Sequence, residues 1–309
     1  MLKKLSALPV CLVFLCLFLL LSQGCTFSDN SPSGDEPPVF SPPQVLVPEA
    51  PGNETLGQSP LILDISNISQ GYLTATSEDN GTAKNIQLTA EDGIVYSYFI
   101  KSGESAVLPF TSGSGTYQIA CYEQVNDSQY AALYAQSLDV SLENEFLPFM
   151  YPNQYVNFTP DSEASKLALS LLPDDATDQE GIETIYNYVT THITYDEAKA
   201  SSVEAGYLPD VDETLDTGTG ICFDYAALTT AMLRTRDIPC KLQIGYAGDI
   251  KHAWIDVYIR GKGWVERAIT YDGNTWNRMD PTFAANSEDE ELINSYIGDS
   301  QNYTLQFTR

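Results

Sequence analysis

Cys222 stands in the run Thr217-Gly218-Thr219-Gly220-Ile221-Cys222-Phe223-Asp224-Tyr225, where a glycine-rich turn delivers a thiol onto the first turn of a helix. Unpaired backbone N–H groups and the helix dipole favour negative charge there, so thiolate gains over thiol. The same N–H groups can donate to the oxyanion that forms when sulfur attacks a carbonyl. Such a thiol needs a base, and the chain holds two histidines, His192 and His252. His252 opens the run His252–Ile259, and period two puts its side chain on one strand face with Trp254, Asp256 and Tyr258. His192 closes an amphipathic helix beside Thr190 and Thr191 and reads as a solvated helix end. An imidazole base needs a third group to hold its tautomer, and a carboxylate on a following strand suits that task. Asp280 is the candidate, with Asp256 and Asp272 competing. Asp256 shares the face of His252 but lies roughly 13 Å along the strand, beyond hydrogen-bond reach. Asp272 precedes Gly273, where turn chemistry alone explains an aspartate. A thiol, an imidazole and a carboxylate so arranged would carry acyl transfer from an amide through a thioester.

The elements that must position these groups follow from periodicity. The helix that begins near Cys222 and runs to about Thr235 is apolar nearly all round (Ala226, Ala227, Leu228, Ala231, Met232, Leu233), which makes it a buried mount. A second helix is predicted from about Asp178 to Thr191, with Ile182, Ile185, Tyr186 and Val189 on one face. Asp178 is its expected N-cap, which leaves Gly181 at the third position and no capping box. A shorter helix over Ser162–Leu172 stops at Pro173, and a polar loop is expected between the second helix and the cysteine. Strands are predicted at Cys240–Tyr246, His252–Arg260, Gly263–Ala268 and Thr275–Met279, with a turn at Asp272-Gly273. An acidic helix at Glu288–Ile297 and a strand at Tyr303–Thr308 follow. Helices first and an antiparallel sheet after give an α+β domain over 146–309. Upstream, over 59–145, short β-rich runs alternate with turn signals such as Asn80-Gly81, Asp92-Gly93 and Ser102-Gly103, the pattern of an all-β sandwich-like domain. That domain is expected to be a spacer or binding module without chemistry of its own.

The N-terminus reads as a targeting segment. Lys3 and Lys4 precede a largely apolar run from Leu5 to Leu21, and Ser22-Gln23-Gly24 leads to Cys25. Residues 26–58 are rich in proline, serine, glycine and acid and are expected to be a disordered tether. The whole chain carries a formal net charge of −27, with 42 acidic against 15 basic residues. Such a surface repels nucleic acid and anionic headgroups, which excludes a nucleic-acid partner. Of six cysteines, Cys11 and Cys16 lie in the targeting segment, leaving Cys121, Cys222 and Cys240 beyond Cys25. An odd number argues against a disulfide scaffold, although Cys121 and Cys240 could pair or could each be buried packing.

The ordered pieces carry a resemblance. Gly220-Ile221-Cys222-Phe223-Asp224-Tyr225-Ala226, then Ile238-Pro239, His252-Ala253-Trp254, Gly263-Trp264 and Asp280-Pro281-Thr282 together resemble the transglutaminase-like superfamily, from about Asp178 to Phe283. The resemblance implies a papain-like fold with Cys222 as nucleophile, His252 as base and Asp280 as orienting carboxylate. Ile193-Thr194-Tyr195-Asp196 is similar to the family's Tyr-Asp segment, which implies that Tyr195 lines the site or assists the oxyanion and that Trp254 forms a wall. The substrate class implied is a peptide or isopeptide amide, cleaved by hydrolysis ahead of crosslinking. A catalytically silent binding module on the same fold is the alternative. The small residue before Cys25 resembles a bacterial lipobox, which implies lipidation at Cys25 and an anchor on the outer face of the cytoplasmic membrane; plain secretion is the alternative. No phosphate loop, dinucleotide fingerprint, paired Cys-x-x-Cys or EF-hand loop occurs, so no cofactor and no metal are expected.

Overall fold

The structure is a computed structural model that describes residues 36–126, 129–265, 270–271, 276–277 and 303–309. Its strands begin with β1 (Thr55–Gln58), β2 (Leu61–Asp64), β3 (Tyr72–Ser77), β4 (Lys84–Thr89), β5 (Val95–Ile100), β6 (Ser105–Pro109), β7 (Gly115–Asn126) and β8 (Gln129–Val140). They pair antiparallel in two four-stranded sheets, ordered β1-β2-β3-β6 and β5-β4-β7-β8. Period two decides which residues go inside: Leu61 and Leu63 are buried while Ile62 between them is exposed, and Tyr96, Tyr98 and Ile100 are buried beside exposed Val95 and Phe99. The buried residues of both sheets make one cluster, with Leu61, Leu73 and Leu108 from the first and Ile86, Tyr98 and Ile119 from the second. Burying each such side chain favours the fold by roughly 1.5–3 kcal/mol.

The second half continues with α1 (Glu163–Ser170), α2 (Asp178–His192), β9 (Thr194–Tyr195), α3 (Glu197–Ser202), α4 (Val211–Thr217), β10 (Thr219–Gly220) and α5 (Cys222–Thr235). Then come β11 (Cys240–Ala247), β12 (Ile250–Ile259), β13 (Gly263–Val265), β14 (Thr270–Tyr271), β15 (Trp276–Asn277) and β16 (Tyr303–Thr308). One antiparallel sheet has the order β13-β12-β11-β16, and β14 pairs with β15. Helix α5 is buried at every position from Asp224 to Thr235 and packs on β11 and β12 as well as on α1, α2 and α4. The mount expected for the cysteine is therefore the spine of a second hydrophobic cluster, which includes Ile185, Val189, Leu228, Met232, Leu242 and Val257.

Two arginines tie the parts together. Arg234, fully buried on α5, donates to the carbonyls of Cys240 (2.8 Å), Tyr151 (2.7 Å) and Arg309 (3.0 Å). Burial lowers its pKa to about 10, so it keeps its charge at neutral pH. The Arg309 guanidinium lies among the rings of Tyr96, Tyr98, Tyr155 and Phe307, 4.4 Å from the centroid of Tyr155. These cation–π contacts join the N-terminal sheets to the strand beside β11.

Several expectations need correction. Residues 36–58 are not a free tether: Val45 is buried in the second cluster, and the chain from Glu36 to Glu49 is held by hydrogen bonds. Phe40 N–H donates to Asp237 Oδ2 (2.9 Å), Arg260 donates to Pro38 O (3.1 Å), Asn144 to Glu36 O (3.0 Å) and Asn67 to Glu49 O (2.8 Å). A proline-rich chain is already extended, so little entropy opposes laying it down as a strap once polar partners meet its backbone. Helix α2 is capped one residue earlier than expected, by Thr177, and a capping box does form: Thr177 Oγ1 accepts from Glu180 N–H (3.3 Å) while Glu180 accepts from Thr177 N–H (2.9 Å). Asp178 is thereby free to accept from Arg260 N–H (2.8 Å) and pair with its guanidinium. The polar loop before the cysteine contains α3 and α4, each capped by an aspartate, Asp196 and Asp210. Of the two alternatives left open for Cys121 and Cys240, the structure shows buried packing: both are buried and free, and Cys240 donates to Thr230 Oγ1 at 3.5 Å. The targeting segment with Cys25, the turn at Asp272, Asp280 and the acidic helix at 288–297 lie outside the described residues.

Candidate active site

Cys222 is the first residue of α5, and the chain reaches it through two glycines that no other residue could replace cheaply. Gly218 ends α4 in the left-handed region (φ 62°). Gly220 packs so closely that a Cβ there would lie 2.7 Å from Cβ of Asp224. Between them, β10 pairs in parallel with β9, with Thr194 N–H on Gly218 O (2.8 Å) and Asp196 N–H on Gly220 O (2.9 Å). This short ladder fixes the entry to α5 and brings Tyr195 to the cleft that Cys222 lines. Tyr225 adds a buried tie, its hydroxyl donating to Ile193 O at 2.5 Å.

His252 sits on β12, 7% exposed, opposite Gly245 of β11. A side chain at Gly245 would strike Thr304 O and the indole of Trp254, so glycine there lets β16 and Trp254 close around His252. Tyr303 of β16 completes that packing, with ring centroids 5.2 Å from Trp254 and 6.2 Å from His252. Asp256, on the same strand, accepts a hydrogen bond from Gln243 Nε2 at 2.6 Å.

Cys222 and His252 line the same cleft, of about 360 Å³, together with Tyr195, Tyr207, Phe223 and Ile244. Three of the residues singled out from the sequence thus come together here: Cys222, His252 and Tyr195. Trp254 does not line the cleft among the described residues; it is 2% exposed and backs the imidazole instead. His192 is elsewhere, exposed at the end of α2 and stacked on Tyr188 at 4.0 Å. Asp280, the expected orienting carboxylate, lies outside the described residues.

A cluster beneath Cys222 was not foreseen from the sequence. Asp224, fully buried two residues after Cys222, accepts from Ile221 N–H (2.8 Å) and from the Tyr207 hydroxyl (2.5 Å) and pairs with Lys199 (2.8 Å). Lys199 also lies 4.6 Å from the centroid of the Tyr207 ring. Burial first, then the bond to Asp224, raises the Tyr207 phenol to about 12, so it stays a donor. A carboxylate two residues past a candidate thiol was the available signal, because a buried acid at a helix start needs several donors. Its partners come from the α3–α4 segment, which reads as polar loop. Among the described residues no three His, Cys, Asp or Glu side chains gather as a metal-holding group.

Comparison with known proteins gives the same outline. Residues 165–281 match the model of the transglutaminase-like superfamily. The human Kyphoscoliosis peptidase is 29% identical over 116 residues, 34% of this chain and 17% of that protein, so the match spans less than a fifth of the relative's length. Among solved structures, a Cytophaga hutchinsonii protein described as a candidate cysteine protease superposes with a TM-score of 0.39 at 14% identity, covering 77% of this chain and 79% of that one. Red sea bream transglutaminase gives 0.31 at 14% identity, covering 70% of this chain and 48% of the other.

Proposed function

With residues 165–281 forming a transglutaminase-like domain, we propose that this chain is an extracytoplasmic cysteine acyl-transfer enzyme that opens peptide or isopeptide amides by hydrolysis. The observation that carries the reading is the placement of the helix-terminal thiol of Cys222 and the strand-borne imidazole of His252 on one cleft. Cys222 gives its proton to His252 and attacks the amide carbonyl. The carbonyl oxygen takes up negative charge, which the first-turn N–H groups of α5 and the nearby Tyr195 stabilise. His252 returns the proton to the leaving amine as the C–N bond breaks, and a thioester remains. Water, deprotonated by His252, then releases the carboxylic acid and restores the thiol. Asp280 orients the imidazole in this scheme.

Hydrolysis and crosslinking share every step up to the thioester and differ in whether water or a second amine reaches it. An amine wins where walls exclude water and guide a lysine inward. Here Cys222 is itself half-exposed in the cleft, which leaves the thioester within reach of solvent. The strongly acidic chain would attract lysine-bearing acceptors, which favours the other outcome. The test is to incubate the protein with glutamine-containing and general peptide libraries plus a labelled primary amine, following release beside incorporation. Release should exceed incorporation at millimolar amine and vanish in Cys222→Ala. The opposite ratio would make the enzyme a crosslinker.

A further inference from the structure

The wall of the cleft facing the imidazole is apolar and held in place before any substrate arrives. Val203, Ala205 and Tyr207 from the α3–α4 connection stand on one side, with Phe223 at the start of α5 and Ile244 and Ile250 on or beside the β11–β12 hairpin. Two of these are large aliphatic side chains left in water: Val203 is 38% exposed and Ile250 72%. The charged residues among the described lining, Glu204 and Lys251, are themselves exposed and lie at the rim. The wall is not loose. Asp224 ties Tyr207 and, through Lys199, the end of α3 to the same helix start that bears the nucleophile. The distance from thiol to wall is therefore set by the fold.

On the proposed reading of Cys222 as nucleophile, we infer that the acyl donor is a peptide whose residue bearing the scissile carbonyl has an aliphatic or aromatic side chain, seated between Val203 and Ile250. The thiol fixes where the carbonyl carbon lies, and the side chain of that residue branches one bond away, into the space these walls enclose. A cleft of about 360 Å³ falls in the range of preformed ligand pockets and holds one such residue with its flanking amides. An apolar side chain gains by covering exposed Val203 and Ile250. A glutamine carboxamide or a charged group in the same place loses water without a matching wall of donors and acceptors. Because the Tyr207 side of the wall is already tied to α5, little of that gain is spent on ordering it.

The test uses a series of short peptides carrying an acyloxymethyl ketone after leucine, phenylalanine, glutamine, glutamate or lysine. Thiolate attack forms the S–C bond and expels the carboxylate, so the rate of Cys222 adduct formation reads the fit of that residue. Leucine and phenylalanine probes should react at least about tenfold faster than the other three, the ratio that burial of one such side chain commands. Val203→Asp and Ile250→Asp should bring the ratio of leucine to glutamine rates close to one. Equal rates across the series, or a ratio that survives both substitutions, would overturn the inference. Iodoacetamide separates this failure from failure of the catalytic reading: if it marks Cys222 no faster than Cys121 and Cys240, the nucleophile assignment falls and the pocket assignment falls with it.

Discussion

The three thiols of the folded body differ in what surrounds them more than in what they are. Burial, the largest effect on each, raises the Cys121 thiol to about 11 and the Cys240 thiol to about 12, so both stay protonated and shut away at neutral pH. Cys222 is half-exposed and faces a cleft. Iodoacetamide at pH 6–7 should therefore modify Cys222 well before the other two, as mass spectrometry of digested protein will show; equal labelling would remove the case for an activated nucleophile. The orienting acid makes a second prediction. Asp280→Asn should lower amide turnover by ~10²–10⁴-fold with the fold intact, since the imidazole loses the group that holds its tautomer. Asp256 is held by Gln243, so Asp256→Asn should spare turnover, and Asp272→Asn should do so as well. A greater loss in either of these would displace Asp280. That Cys222 and His252 share a cleft was legible in the sequence because their residue types are scarce and their local settings distinctive. Asp224, Lys199 and Tyr207 were not, because their meeting depends on how a polar connection folds back over a helix start.

At the scale of elements, α5 and β16 were readable to the residue, since a long apolar run and a short alternating one leave little choice of boundary. The cap of helix α2 falls at Thr177 and not at Asp178 because Thr177 and Glu180 satisfy each other's donors. Helices α3 and α4 escaped notice because neither has a long apolar face; aspartate caps and contacts with α5 hold them. The strap at residues 36–46 escaped for the same reason, its order coming from long-range hydrogen bonds. Its anchor has a measurable cost. Asp237, just past the end of α5, accepts Phe40 N–H, and burial raises its carboxyl from 3.8 to about 6 despite the nearby Arg260 and Arg236. The folded state thus binds this proton more tightly than the unfolded chain, so the stability it contributes is complete below pH 3.8 and lost as pH rises through about 6. Asp237→Asn keeps the polar shape without the charge, and asparagine tolerates the left-handed backbone there (φ 59°). Its urea-unfolding stability relative to the parent should rise between pH 4 and pH 7, by about 1–3 kcal/mol. A flat difference across that range would show that the strap accommodates the carboxylate without penalty.

For the whole molecule the net charge of −27 bears on the proposal that Cys25 is lipidated. An acidic body is repelled by anionic headgroups, so attachment would fall to lipid on Cys25. Cys25→Ala should release the protein to the medium or leave an unprocessed precursor; fractionation and migration unchanged from the parent would sink the anchored reading. The sheet order β13-β12-β11-β16 carries one more consequence, and it concerns time. The strand bearing His252 and its neighbour β11 are made well before β16, which supplies Tyr303 against the imidazole and the Arg309 link to the N-terminal sheets. A growing chain that has emerged through residue 283 already carries Cys222, His252 and Asp280, yet β16, whose Tyr303 packs against the imidazole, is still inside the ribosome. The packing around His252 is therefore completed last, after the rest of the chain has begun to fold.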